Sequence, residues 1–135
     1  MIAQWYKTNI SMLQRLFGKV SYDNYEYTWI LIHRFRLPPF YNRMYSALLI
    51  TTPGYNINNK FAFSFYLDKN LRRSDIPASR FIFDDFSYNP LRHKNYARLC
   101  FNIKKFQPRS DVLSGDNIVD LCQSVYNFLA RKKGA

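Results

Sequence analysis

The sequence predicts an α+β fold, an antiparallel meander with helices segregated to one side. Three observations predict it. Apolar residues recur at helical spacing at both ends of the chain, over residues 2–20 and 115–131. Between them lie four short extended segments, punctuated by Pro38-Pro39, Pro53-Gly54 and Ile76-Pro77. The chain has 135 residues, 47% of them hydrophobic and 19% aromatic, with neither repeat nor linker. That is the size and composition of one globular domain, spanning 1–135, which can bury a core without a disulfide or metal staple.

The first helix is read from Ile2, Tyr6, Ile10, Leu13 and Phe17, whose gaps of three and four make one apolar stripe. Gly18 marks its end. Residues 27–37 form the first strand: an apolar run from Trp29 to Ile32, then the alternation His33-Arg34-Phe35-Arg36-Leu37, stopped by Pro38-Pro39. Tyr45 to Thr52 is the second strand, followed by a turn at Pro53-Gly54. Residues 60–67 alternate most clearly, with Phe61, Phe63, Phe65 and Leu67 on one face and Ala62, Ser64 and Tyr66 on the other. Arg80 to Phe83 is the fourth strand. Tyr88 to Pro108 reads mostly as loop, with a short extended piece from Leu99 to Ile103. The last helix has its apolar stripe at Ile118, Leu121, Cys122, Val125, Phe128 and Leu129, Ser114 as its N-cap, and Arg131, Lys132 and Lys133 in its last turn.

Twenty Lys and Arg against nine Asp and Glu leave a formal charge of +11, a field that favours acidic partners. No apolar run approaches the ~18 residues that cross a bilayer. The N-terminus lacks the basic-then-apolar pattern of a signal peptide. The expectation is a cytoplasmic chain without a membrane partner, whose two cysteines, Cys100 and Cys122, are thiols.

Most catalytic motifs are absent: there is no glycine-rich phosphate loop, no Cys-x-x-Cys and no zinc-type His/Cys spacing, so no metal or cofactor is expected. One Glu in the whole chain argues against a paired-Glu hydrolase. Asp84-Asp85 reads as a solvated turn. Cys122, on the helix stripe, reads as a small core hydrophobe. Cys100 differs, because residues 86–110 carry Arg92, Lys94, Arg98, Lys104, Lys105 and Arg109 and no acid, and neighbouring cations favour the nucleophilic thiolate. His93 and Asn95 lie just upstream. A thiol nucleophile beside an imidazole and an amide donor for an oxyanion are the parts of acyl transfer, although a buried strand cysteine is the plainer reading of Cys100. Asp111, just past the segment, reads as a loop or helix cap, with orientation of an incoming amine as its alternative.

In this order the residues resemble the core of the ubiquitin-conjugating enzyme family. Phe61 to Leu67 resembles that family's third strand, and Asp75-Ile76-Pro77 with Arg80 to Phe83 resembles its approach to the fourth. His93-Lys94-Asn95 is similar to the His-Pro-Asn tripeptide, with Lys94 in place of the proline. Leu99-Cys100-Phe101 is similar to the Ile-Cys-Leu around the active cysteine, and Phe106-Gln107-Pro108 to the Trp-x-Pro that follows it. The short His-to-Cys spacing and the single helix after the cysteine match the trimmed bacterial relatives. The resemblance implies a UBC-like fold: an N-terminal helix, a four-stranded antiparallel meander, an active-site loop and a C-terminal helix. It implies a transferase in which Cys100 carries a protein C-terminus as a thioester and passes it to an amine. Asn95 then supports the loop or the oxyanion, and His93 fixes the loop. The implied partner is a modifier protein, or the C-terminus of a cyclic-oligonucleotide-producing nucleotidyltransferase in antiviral defence, with a separate activating enzyme.

Two other readings stand beside it. One is a non-catalytic scaffold of the same fold that binds proteins. The other is a nucleic-acid module, since basic residues interleave with aromatics at His33 to Arg36, Phe40 to Arg43 and Arg92 to Lys105. The plainer account of those stretches is core aromatics and a solvated charged face.

Overall fold

A computed structural model describes residues 2–57, 62–75, 83–85 (backbone), 91, 95–103 and 105–131. Helix α1, Ile2–Phe17, buries Trp5, Tyr6, Asn9, Ile10 and Leu13. It ends where Gly18 enters the left-handed region at φ 80 and donates its N–H to the Gln14 carbonyl at 3.0 Å, as the spacing predicts. Strands β1 (Val20–Tyr22), β2 (Trp29–Arg36), β3 (Tyr45–Thr51), β4 (Ser64–Asp68), β5 (Phe83–Asp85) and β6 (Tyr96–Leu99) follow, and helix α2, Ile118–Ala130, closes the described chain.

The architecture is α+β, with terminal helices flanking an antiparallel sheet. The expected four-stranded meander is corrected in two respects. Among the described residues the sheet has six strands, in the order β1-β2-β3-β4-β6-β5, and every pairing is antiparallel. The stretch taken for loop supplies β6, which lies between β4 and β5, so the meander is broken and β5 is an edge. Both β1 and β6 are too short, at three and four residues, for a period-2 signal to stand out. Asp84 and Asp85, read as a turn, lie in β5. Residues 80–82, assigned to that strand, lie outside the described residues.

One face of the sheet shares a core with both helices. Ile30, Ile32, Phe35, Leu48, Ile50, Phe65, Leu67, Ala97 and Leu99 pack there with Leu13 of α1 and with Leu121, Cys122, Val125 and Leu129 of α2. Phe63, Phe65 and Leu67 take the inner side and Tyr66 the other, as their alternation predicts. On the opposite face Leu31, Leu49 and Tyr66 form a smaller cluster with Trp29, Ala47, Leu91 and Tyr96. A bulge between Ile32 and Phe35 reconciles the two halves of β2: the extra residue keeps Phe35 in phase with Ile30 and Ile32 while Arg34 and Arg36 stay exposed.

Helix α2 begins later than its expected residue 115. Its N-cap is Asn117, not Ser114: the Asn117 side chain accepts from the Asp120 N–H at 3.0 Å and the Asp120 carboxylate accepts from the Asn117 N–H at 3.0 Å. Ser114 instead ends a 3-10 turn, Val112–Ser114, capped by Asp111. The last turn of α2 carries no basic residue, and Arg131 is its C-cap.

Candidate functional site

Cys100 is placed by the end of β6. Ala97 and Leu99 point into the core and anchor the strand, while Arg98 opposite Tyr66 faces the other side. One residue later the chain turns back on itself: the Phe101 N–H donates to the Leu99 carbonyl at 2.8 Å, a three-residue γ-turn with Cys100 at its apex. The apex residue is exposed. Phe101 then dives between the layers, with its ring 5.5 Å from that of Phe65 on β4 and 5.3 Å from that of Phe128 on α2. Five residues on, Phe106 is buried against Phe63 at 4.9 Å and Trp5 at 6.1 Å. The segment after the cysteine is thus pinned by two aromatic rings. Beyond it, the Gln107 N–H donates to the Asp116 carboxylate at 2.8 Å and the Asp116 N–H to the Gln107 carbonyl at 3.0 Å, closing the loop that leads to α2. Gly115 is required there, because a Cβ would sit 2.7 Å from the Arg109 backbone nitrogen.

An open groove of about 470 Å³ begins beside the turn. Phe101, Asn102, Ile103 and Lys105 form one wall, and Leu121, Ser124, Asn127, Phe128 and Arg131 of α2 and its cap form the other. Arg131 stacks on Phe128 at 4.6 Å from the ring centroid. The lining therefore combines two aromatic rings and two aliphatic side chains with carboxamides, a hydroxyl and two cations. An extended polypeptide has both needs: apolar side chains to bury and amides to pair.

The other site residues behave differently. Asn95 is described and exposed, at the opposite end of β6, where its carbonyl accepts from the Lys69 N–H at 2.8 Å. Five extended steps at ~3.3 Å each put roughly 16 Å between the Asn95 and Cys100 backbones. The structure does not bring this carboxamide to the cysteine sulfur. His93 lies outside the described residues, as do Arg92, Lys94 and Lys104. Asp111 accepts from the Leu113 N–H at 3.3 Å, the capping role read from the sequence. Cys122 is a core residue, 2% exposed, and burial pushes its thiol well above the ordinary range.

The groove residues Asn102, Ser124, Asn127 and Arg131 escaped the sequence reading. Their signal was the spacing of Leu121, Ser124, Phe128 and Arg131, one stripe of a helix at gaps of three and four, polar at every second member. Among the described residues there is no group of three His, Cys, Asp or Glu able to hold a metal ion, and no helix long and apolar enough to cross a membrane. Comparison with protein-family models, curated proteins and solved structures returns no match.

Proposed function

We propose that the chain is a thioester carrier of the ubiquitin-conjugating type, with Cys100 as its nucleophile. The observation that carries the reading is the exposed Cys100 at the apex of a γ-turn, beside a groove suited to an extended chain, while the second cysteine is sealed in the core. In the first step the Cys100 thiolate attacks the carbonyl carbon of a protein C-terminus already held as a thioester on a separate activating enzyme. A carbon–sulfur bond forms at Cys100 and the activating enzyme's thiolate leaves. In the second step a primary amine attacks the same carbon, the amide forms, the Cys100 thiolate leaves and the amine nitrogen gives its proton to solvent. No metal, redox partner or cofactor enters either step.

The groove accounts for substrate placement. Phe101 and Phe128 offer an apolar lining for the side chains next to the transferred carbonyl, and Asn102, Ser124 and Asn127 offer partners for the tail's amides. Asn95 and His93 have no part in the steps as written. The carried chain is a modifier protein, or a nucleotidyltransferase C-terminus if the resemblance to the bacterial defence branch extends to partners.

The test is intact mass after mild lysis of the native host. A protein adduct that hydroxylamine removes, and that Cys100→Ala prevents while Cys122→Ala does not, supports the carrier. An adduct removed by thiol reductant and resistant to hydroxylamine is a disulfide and refutes it. A folded protein whose Cys100 gives no adduct is the scaffold alternative.

A further inference from the structure

The end of the sheet away from Cys100 carries a pair of cations that have no ion-pair partner among the described residues. The bulge in β2 leaves Arg34 and Arg36 exposed on the face opposite the helices. Arg36 lies directly across from Tyr45 on β3, and both guanidinium groups lie over that one ring, with their central carbons 4.3 and 5.5 Å from its centroid. These two distances hold the groups within about 10 Å of each other. The ring orients them without cancelling their charge.

Six of the seven described carboxylates are engaged elsewhere, and the seventh, Glu26, lies in the turn before β2, at the opposite end of that strand from Arg34 and Arg36. Asp68 pairs with Arg43 at 2.7 Å and Asp75 with Arg73 at 2.6 Å. Asp23 accepts from the backbone of the 23–28 turn, and Asp111, Asp116 and Asp120 cap α2 and the loop before it. Among the described residues neither Arg34 nor Arg36 has an ion pair. His33, beside them on β2, is held to the Ser21 hydroxyl at 2.8 Å, and burial with the nearby Lys19 charge lowers its pKa and so disfavours its charged form.

We propose that Arg34 and Arg36, oriented over Tyr45, bind the phosphodiester backbone of a nucleic acid. The guanidinium fork matches phosphate oxygens in pairs. A nucleic-acid strand presents a charge every ~3.4 Å of its axis, so neighbouring phosphates fall within the span of this pair. The Tyr45 ring is occupied by guanidinium groups and is no platform for a base, so the contact reads backbone and is insensitive to sequence. The chain's +11 charge raises the encounter rate with any polyanion. The geometry singles out where the close contact is made.

The site is independent of the thioester reading. β6 runs from Tyr96, paired with Asp68 at this end of the sheet, to Leu99 at the other, and Cys100 follows Leu99. Failure at one site leaves the other untouched.

The experiment is fluorescence anisotropy of a labelled 20-base-pair DNA duplex and of single-stranded RNA of the same sequence, with the full chain, from 50 to 200 mM salt. Arg34→Gln/Arg36→Gln is compared with Lys7→Gln/Arg15→Gln, which removes the same charge from exposed positions on α1. Each lost phosphate contact lowers the salt slope by about 0.9 on a duplex, so the first pair loses about 1.8 and at least tenfold in affinity at 100 mM salt. The control keeps its slope, and Arg34→Lys/Arg36→Lys recovers most of it because the slope counts charges. Stronger binding to one probe identifies DNA or RNA as the source of the phosphates. Equal losses in the glutamine and control pairs, or no binding by the unaltered chain, overturn the proposal. So does displacement by polyglutamate as efficient, per charge, as by unlabelled duplex, which assigns the patch to an acidic protein.

Discussion

Asn9 is the test of how the two helices are held together. It occupies a fully buried position on the apolar stripe of α1, where an amide side chain ordinarily competes with the helix for hydrogen bonds. Here its Nδ2 donates to the Trp5 carbonyl at 2.8 Å, and its Oδ1 accepts from the Ile118 N–H at 2.7 Å, 109 residues away. Ile118 is the first residue of α2, and its N–H is one of the donors that a helix start leaves without an intrahelical partner. Replacing Asn9 by Leu keeps the shape and strands that N–H in the core. An unsatisfied buried donor costs about 1–3 kcal/mol. Better helix propensity returns about half a kcal/mol, leaving a loss near 2 kcal/mol. For a domain of this length that is a fall of roughly 8 °C in Tm. Urea unfolding gives the free energy, and amide exchange gives the location: protection at Ile118 should fall further than protection in β2 and β3. A variant within 0.5 kcal/mol of the unaltered chain, with Ile118 exchange unchanged, would refute the reasoning.

Other perturbations have equally definite expectations. Arg73→Met removes a guanidinium whose side chain is fully buried and which donates to the Leu129 and Arg131 carbonyls at 3.3 and 2.6 Å; a loss of about 2–4 kcal/mol in urea unfolding is expected. Cys100 should react with iodoacetamide in the folded chain and Cys122 only on unfolding, and the mass of the alkylated peptides distinguishes them. Burial pushes the Tyr6 hydroxyl up to about 12, outweighing its bonds to Thr52 and Gly54. The unfolded chain therefore loses this proton first, near pH 10: Tyr6's contribution is whole below pH 10 and is lost as pH rises from ~10 to ~12, by about 2–3 kcal/mol. Tyr6→Phe should remove that part of the alkaline slope in pH-dependent unfolding; an unchanged slope rejects the assignment.

The sequence showed an element where its periodicity was long or its punctuation strong. The stripe of α1, the apolar run of β2 and the alternation of Phe63, Phe65 and Leu67 are each repeated enough to fix a face. Strand β6 has two inward residues, Ala97 and Leu99, inside a cation-rich stretch, and no local pattern distinguishes it from loop. Its place between β4 and β5 is a long-range pairing that no window of residues contains. The α2 cap was legible and misassigned: Asn117 stands immediately before Ile118, the first apolar residue of the stripe, and Asp120 completes the reciprocal bond, whereas Ser114 is three residues too early. At the site, Cys122 was legible as a core residue from its helix position, whereas the plainer reading of Cys100, a buried strand cysteine, is corrected by its exposure just past the end of β6. The groove was not legible, because its two walls are 16 or more residues apart in sequence and meet only through tertiary packing.

That packing explains why the groove wall can be firm although it is built from one short helix. α2 is held at its start by Asn9 from α1 and at its end by Tyr41, whose hydroxyl donates to the Leu129 carbonyl at 2.9 Å, and by Arg73. Arg73 is itself fixed by paired bonds to Asp75 at 2.9 and 2.6 Å. One end group at each terminus, the Ile118 N–H and the Leu129 carbonyl, is therefore served by a distant element, and neither end can fray without breaking a buried hydrogen bond. Among the described residues the facing wall has no such bonds along Asn102 and Ile103, only the anchoring rings of Phe101 and Phe106 on either side. Phe101, whose ring touches β4 and α2 together, fixes the chain immediately after Cys100 to that wall.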